Sequence, residues 1–178
     1  MNPLPTRYHP ALVALHWLLA VLLIATLALG SFALKTVPNS APDKILALQG
    51  HLVAGGLILL LTLARLVVRW RTAHPAPAST GNALLDRLAP LTHWGLYGLV
   101  LLMAGSGVAM SVAVGLPGIV FGGLGSLPVN FDALPPRAVH GVVAKLLMLA
   151  IGLHIAAALH HQFVRRDRLI ARMGLGPR

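Results

Sequence analysis

The chain has 178 residues, 57% hydrophobic and only 10% charged, with no cysteine and a formal net charge of +10. Soluble domains carry about 25% charged residues, and nucleic-acid binders gather their basic residues on a polar face with aromatics among them; long apolar runs separate the basic residues here, which excludes both classes. The absent cysteines exclude disulfides, thiolate-held iron–sulfur clusters, a cysteine nucleophile and covalent haem attachment.

The first predicted helix covers 11–34, an uncharged run that stops at Lys35. About 20 apolar residues cross a bilayer, and the run exceeds the roughly 7–15 residues of a signal-peptide core, so it reads as a membrane span. The second run, 45–68, carries only Arg65, close to its far end. PAPAST at 75–80 reads as a short linker before the third run, 91–114, which carries no charge. The loop 115–137 holds five Gly and four Pro in 23 residues, which predicts no regular helix there. It is apolar, so it is expected to lie folded over one mouth of the bundle. The fourth run, 138–164, carries only Lys145. Together these predict an all-α, integral-membrane four-helix bundle, with residues 1–178 as one domain.

Orientation follows from Lys and Arg. Arg69, Arg71 and Arg87 lie between the second and third runs, and Arg165, Arg166, Arg168, Arg172 and Arg178 follow the fourth. The two opposite loops hold only Lys35, Lys44 and Arg137. Both termini and the middle loop are therefore expected in the cytoplasm.

Five of the nine histidines, His16, His51, His93, His140 and His154, fall inside or near the ends of these runs. Polar residues at membrane depth are expensive and mark function. His140 and His154 are 14 residues apart, which rotates the helix by about 1400°, within roughly 40° of four turns, and advances it by about 21 Å. The two rings share a face at two depths. With the second helix starting outside and the first inside, His51 meets His140 at the outer level and His16 meets His154 at the inner one. Two facing neutral imidazoles are the axial ligand set of a six-coordinate, non-covalent haem b, and bundle interiors are where such cofactors are held. Gly50, Gly55, Gly56, Gly141 and Gly152 flank these positions and leave room for flat rings.

Other polar residues have less definite roles. Arg65 lies 14 residues after His51, level with the inner pair, where it either meets a haem propionate or snorkels to headgroups. Lys145 sits about 7.5 Å below His140 and about 140° around the helix, free to snorkel, to meet a propionate or to add positive potential at the outer mouth. His93, beside Trp94, reads as an interfacial anchor. His160 and His161 close the fourth helix, either lining a quinone or proton-entry site or capping the helix end. Met103, Met110 and Met148 read as packing.

Taken together, ALHW at 14–17, GHLVAGGLILLLTLARLVVR at 50–69, the His140 to His154 spacing and GLHIAAALHHQF at 152–163 resemble the bacterial cytochrome b561 family of di-haem membrane proteins. The resemblance covers nearly the whole chain. It implies that His16, His51, His140 and His154 are the axial ligands of two haem b groups. It also implies an inner-membrane protein that oxidises superoxide, or takes electrons from another periplasmic redox donor, and reduces ubiquinone. Two other readings stand beside it. One is a membrane-anchor cytochrome that passes electrons between quinone and a partner redox protein; the other is a His-lined metal transporter without haem. The transporter would want acidic partners at the depth of the histidines, and the runs contain no Asp or Glu.

Overall fold

The computed structural model describes residues 4–77, 83–167 and 169–175. Part of the 75–80 linker, Arg168 and Arg178 lie outside them. The described residues are all-helical, with no strand among them. Helix α1 (Pro10–Ala28) runs on into a wider π-helical stretch, Leu29–Leu34. Next come α2 (Asp43–Arg71), α3 (Ala83–Ala113), the short α4 (Leu116–Gly122) and α5 (Pro135–Leu159). α5 also continues as π-helix through His160–Arg165, and a 3-10 turn follows at Leu169–Met173. Four helical stretches, Pro10–Leu34, Asp43–Arg71, Asp86–Ala113 and Pro135–Arg165, are long and apolar enough to cross a membrane.

Local chemistry sets where the helices start. Pro10 opens α1 and Pro135 and Pro136 open α5, positions where the missing N–H is no loss. The His9 ring caps α1 by accepting the Ala11 N–H at 3.2 Å. Asp43 in the first turn of α2 and Arg69 and Arg71 in its last complement the helix dipole.

Two expectations need correction. α3 begins at Ala83 rather than 91, because Pro90 is held within the helix and the added turns carry Asp86 and Arg87, which lie outside the apolar run. The 115–137 loop also contains a helix, α4. Its glycines terminate that helix rather than break it: Gly115 (φ 62°) and Gly123 (φ 64°) adopt left-handed conformations at its two ends, and Pro117 sits in its first turn. Leu116 and Val120 of α4 are buried with Leu48 of α2, which folds the loop over one mouth of the bundle as expected.

The central core takes one residue from each long helix: Leu19, Ile58, Val100 and Leu147. Outside it the apolar residues turn outward, among them Val21, Ile24, Leu60 and Leu149, as a lipid-facing surface requires. The two termini meet at one end of the bundle. There the Trp17 indole N–H donates to the Met173 carbonyl at 3.0 Å, and the Tyr8 N–H donates to the Arg172 carbonyl at 3.2 Å. At the far end the buried Lys44 ammonium donates to the carbonyls of Leu34 (2.5 Å) and Val37 (2.6 Å), satisfying groups that the end of the π stretch exposes. Gln49 donates to the Val120 carbonyl, and Asn39 to Pro128 at 2.8 Å, tying the two far-end loops together.

Leu147 is 0% exposed, whereas its neighbour Leu146 is 47% exposed. Leu147→Ala should lower the unfolding free energy by about 2–5 kcal/mol, and Leu146→Ala should leave it nearly unchanged, as read by thermal or denaturant unfolding in detergent. His74, which packs edge-on against Tyr8 with ring centroids 6.0 Å apart, is held below the ordinary histidine range by burial and by Arg69. The neutral ring is the form the fold keeps, so its contribution is intact above the ordinary range and lost as pH falls below it. Acidification from pH 8 to 5 should lower the melting temperature more in the wild type than in His74→Phe.

Candidate functional site

Two histidine pairs cross the bundle interior. His51 of α2 faces His140 of α5 with ring centroids 6.2 Å apart and planes inclined by 69°. His16 of α1 faces His154 of α5 at 6.2 Å and 67°. The structure therefore brings together the two pairs that the helix arithmetic anticipated. The pairs are about 21 Å apart along α5, and Leu147 lies midway in sequence between His140 and His154.

The upper pair sits in a defined seat. His140 Nδ1 lies 3.1 Å from the Met103 carbonyl and 3.0 Å from the Ser106 hydroxyl, which itself donates to that carbonyl at 2.9 Å. A carbonyl only accepts, so Nδ1 carries the proton and Nε2 keeps its lone pair, the state of a metal-ligating imidazole. Buried His51 Nδ1 has no hydrogen-bond partner among the described residues. A Cβ on Gly30 would stand 3.2 Å from His51 Cε1, and one on Gly107 would stand 3.4 Å from His140 Cε1. The glycines that touch the rings are thus Gly30 and Gly107, on the π stretch of the first span and on α3. The flanking Gly50, Gly55, Gly56 and Gly152 instead border open space, with no described atom within 4 Å of an added Cβ. A Cβ added at Gly141 would stand 3.4 Å from Arg137 Nη1.

The lower pair is more crowded. The Trp17 ring stands edge-on to His16 at 5.2 Å, and the His93 ring lies 5.7 Å from His154. His93 was expected to be an interfacial anchor; its ring reaches the lower pair, while its neighbour Trp94 packs on Tyr97 at 5.8 Å and carries the Arg69 guanidinium over its face at 5.6 Å. Arg65 interacts electrostatically with His16, His93 and His154, so it lies at the anticipated level, and its guanidinium donates to the Leu12 carbonyl one turn before His16. Lys145 is exposed on α5 and has no hydrogen bond or ion pair among the described residues. The structure does not bring it to the His140 ring.

At the end of α5, His161 Nδ1 bonds the Asp167 carboxylate at 2.5 Å, and Arg165 approaches the same carboxylate at 3.9 Å. Arg166 takes the left-handed conformation (φ 58°), and the resulting turn returns the Asp167 N–H to the His161 carbonyl at 3.3 Å. His160 is exposed beside His161, with ring centroids 6.2 Å apart. Sequence reading passed over Asp167, although one of only four acids six residues from a helix-ending histidine was a usable signal.

A ligand can be tested against this geometry. Two imidazoles bonded to one metal through nitrogens at about 2 Å each have ring centres about 6 Å apart, the separation seen in both pairs. The protonated His140 Nδ1, which leaves Nε2 with its lone pair, and the two glycine seats fit a haem iron held between these rings. Among the described residues no three His or Asp side chains converge as a metal-ion cage. At the far end, Asn39, Ile119, Val120, Leu127 and Pro128 help to line a cavity of about 840 Å³ that has no charged wall.

The sequence matches the family described as prokaryotic cytochrome b561 over residues 7–176. It is 30% identical to the probable superoxide oxidase CybB of Yersinia pestis, over 94% of this chain and 95% of that protein. It is 29% identical to a cytochrome b562 of Cereibacter sphaeroides, over 90% of each, and 27% identical to cytochrome b561 homolog 2 of Escherichia coli, over 95% and 92%.

Gly30→Ala should displace the His51 ring and cost stability despite alanine's better helix propensity. Gly105→Ala, on the exposed side of α3 with open space around it, should stabilise by up to about 1 kcal/mol. Unfolding of both variants under identical detergent conditions measures the difference.

Proposed function

The chain belongs to the prokaryotic cytochrome b561 family of haem b membrane electron-transfer proteins, and from that premise we propose that it is a superoxide:ubiquinone oxidoreductase of the bacterial inner membrane holding two haems. The observation that supports this best is the matched separation, 6.2 Å, of two histidine pairs at two depths of one apolar bundle. His51 and His140 would hold one haem and His16 and His154 the other, supplying one-electron redox centres at two levels. Arg65, level with the lower pair, would be a cationic partner for the carboxylates of the haem held there, whereas exposed Lys145 would add only to the positive potential of the far end. Membership also sets aside a His-lined metal-ion path.

The distribution of Lys and Arg supports placing both termini in the cytoplasm. The overall reaction is two superoxide, one quinone and two protons giving two oxygen and one quinol. Oxidising superoxide releases oxygen with no proton transfer, so the far end needs no acid or base. What it needs is a positive potential, and Lys35, Lys44, Arg137 and Lys145 outnumber Asp43 and Asp132 there. Lys44 is turned inward onto carbonyls, so it acts through its field. Quinone reduction takes up two protons, and at the termini end exposed His160 and the His161–Asp167 pair accept them from water. Asp167 holds the Nδ1–H of His161, which leaves Nε2 to pass a proton on.

The relative named as a probable superoxide oxidase favours superoxide as the donor. The relatives named only as cytochromes favour a second reading, an anchor that passes electrons to a partner protein.

Haem assay of the purified protein should give two haems b per chain, and His140→Ala one. A superoxide pulse should reduce the haems, and added ubiquinone should reoxidise them. Haem reduction no greater than in a superoxide-dismutase control would leave the anchor reading.

A further inference from the structure

We propose that the foot of α1 carries a binding site for a phosphate group, presented by an anionic lipid headgroup or as free phosphate. A pocket of about 290 Å³ opens there, and both Arg7 and Arg172 line it, together with Tyr8 and the first turn of α1. No described carboxylate does. Asp167 is engaged by His161 and Arg165, Asp86 in the first turn of α3 has a partner of its own, and Asp43 and Asp132 lie at the opposite end of the bundle.

The pocket is built rather than incidental. Arg172 Nη1 donates to the Ala76 carbonyl at 2.7 Å, which fixes the guanidinium and leaves its remaining donors available. The Tyr8 N–H donates to the Arg172 carbonyl at 3.2 Å, which brings Arg7 alongside. Half-buried Arg7 makes no hydrogen bond or ion pair with any described residue. The opposite wall depends on a close approach: Gly174 (φ 83°) packs where an added Cβ would stand 3.1 Å from Val13, and the Trp17 indole locks the adjoining Met173 carbonyl. Two guanidiniums held beside one small pocket repel each other. An anion between them removes that repulsion, and the planar Arg fork matches phosphate oxygens in pairs.

The position of the pocket argues for a lipid. Pro10, Val13 and Ala14 belong to the first turns of a membrane-crossing helix, so the pocket lies where headgroups lie and its apolar wall continues towards the acyl chains. Basic pockets at such boundaries recognise anionic headgroups. None of the four paired histidines lines the pocket, and the proposal holds whatever the electron donor is.

Native mass spectrometry of the full chain, released from detergent containing phosphatidylglycerol or phosphatidylcholine, tests the site. Wild type and the exposed-arginine control Arg71→Gln should retain phosphatidylglycerol and not phosphatidylcholine. The double variant Arg7→Gln/Arg172→Gln should retain at least about tenfold less, with its haem absorbance unchanged. Should the double variant lose that absorbance, Arg7→Gln alone decides, since that side chain bonds no other described residue. A second arm adds millimolar inorganic phosphate: a rise in melting temperature seen only in wild type and the control, without lipid retention, supports the site and identifies free phosphate as its occupant. Equal phosphatidylglycerol retention by wild type and variant, together with no phosphate effect, overturns the proposal.

Discussion

An imidazole carried to membrane depth costs several kcal/mol for each ring nitrogen left without a partner. That constraint organises the bundle. His140 places Nδ1 on the Met103 carbonyl and the Ser106 hydroxyl, and its other nitrogen is left for whatever lies between it and His51. α5 contributes to both pairs, α2 completes the upper one and α1 the lower one. α3, which supplies neither member of a pair, holds His140 in orientation from behind and sets the His93 ring against His154. Four helices with featureless lipid-facing surfaces thus acquire a unique arrangement from a few polar contacts and one shared apolar layer, Leu19, Ile58, Val100 and Leu147.

The remaining polar chemistry is pushed to the two ends, and each end is finished differently. At the far end, Lys44, Gln49 and Asn39 act as donors to loop and helix carbonyls, which leaves a mouth with fixed walls and no exposed ion pair at its rim among the described residues. At the termini end, the chain folds back on α1 through Tyr8, Trp17 and Arg172, and a strained turn at Arg166 sets a carboxylate on His161. Both π-helical stretches fall where a histidine needs accommodating. One carries Gly30 against His51 and the other carries His160 and His161 themselves. A widened turn shifts the helix face locally, which is why such turns recur at functional positions.

The four spans and the pairing of the histidines were legible in the sequence because both depend on local periodicity: run length fixes the crossing, and a 14-residue interval fixes the face. What was not legible depends on which helix packs on which. Gly30 and Gly107 lie far in sequence from the histidines they face, and only the packing of the helices brings the rings of His51 and His140 against them. The glycines nearest the histidines in sequence turned out to border open space instead. His93 looked interfacial because its depth was read without its neighbour, and Asp167 went unread because a tight non-glycine turn carries no sequence pattern. The helix α4 was missed for a local reason: its glycines and proline were counted as breakers, whereas their positions at its ends make them its caps.

The even placement of His140, Leu147 and His154, seven residues apart each, turns α5 into a ruler. Inserting or deleting one residue between the histidines would rotate one ring by about 100° away from its partner, a misalignment no side-chain rotamer repairs. Substitutions along this stretch are graded in their effect, but changes of length are all or none. A four-residue step would return the ring to within about 40° of its face and move the two levels by about 6 Å, and a seven-residue step to within about 20° and by about 10 Å, in each case out of level with the partners on α1 and α2. The separation between the two levels can therefore change only in steps of about one helical turn, because the helix sets both the face and the depth of each ring.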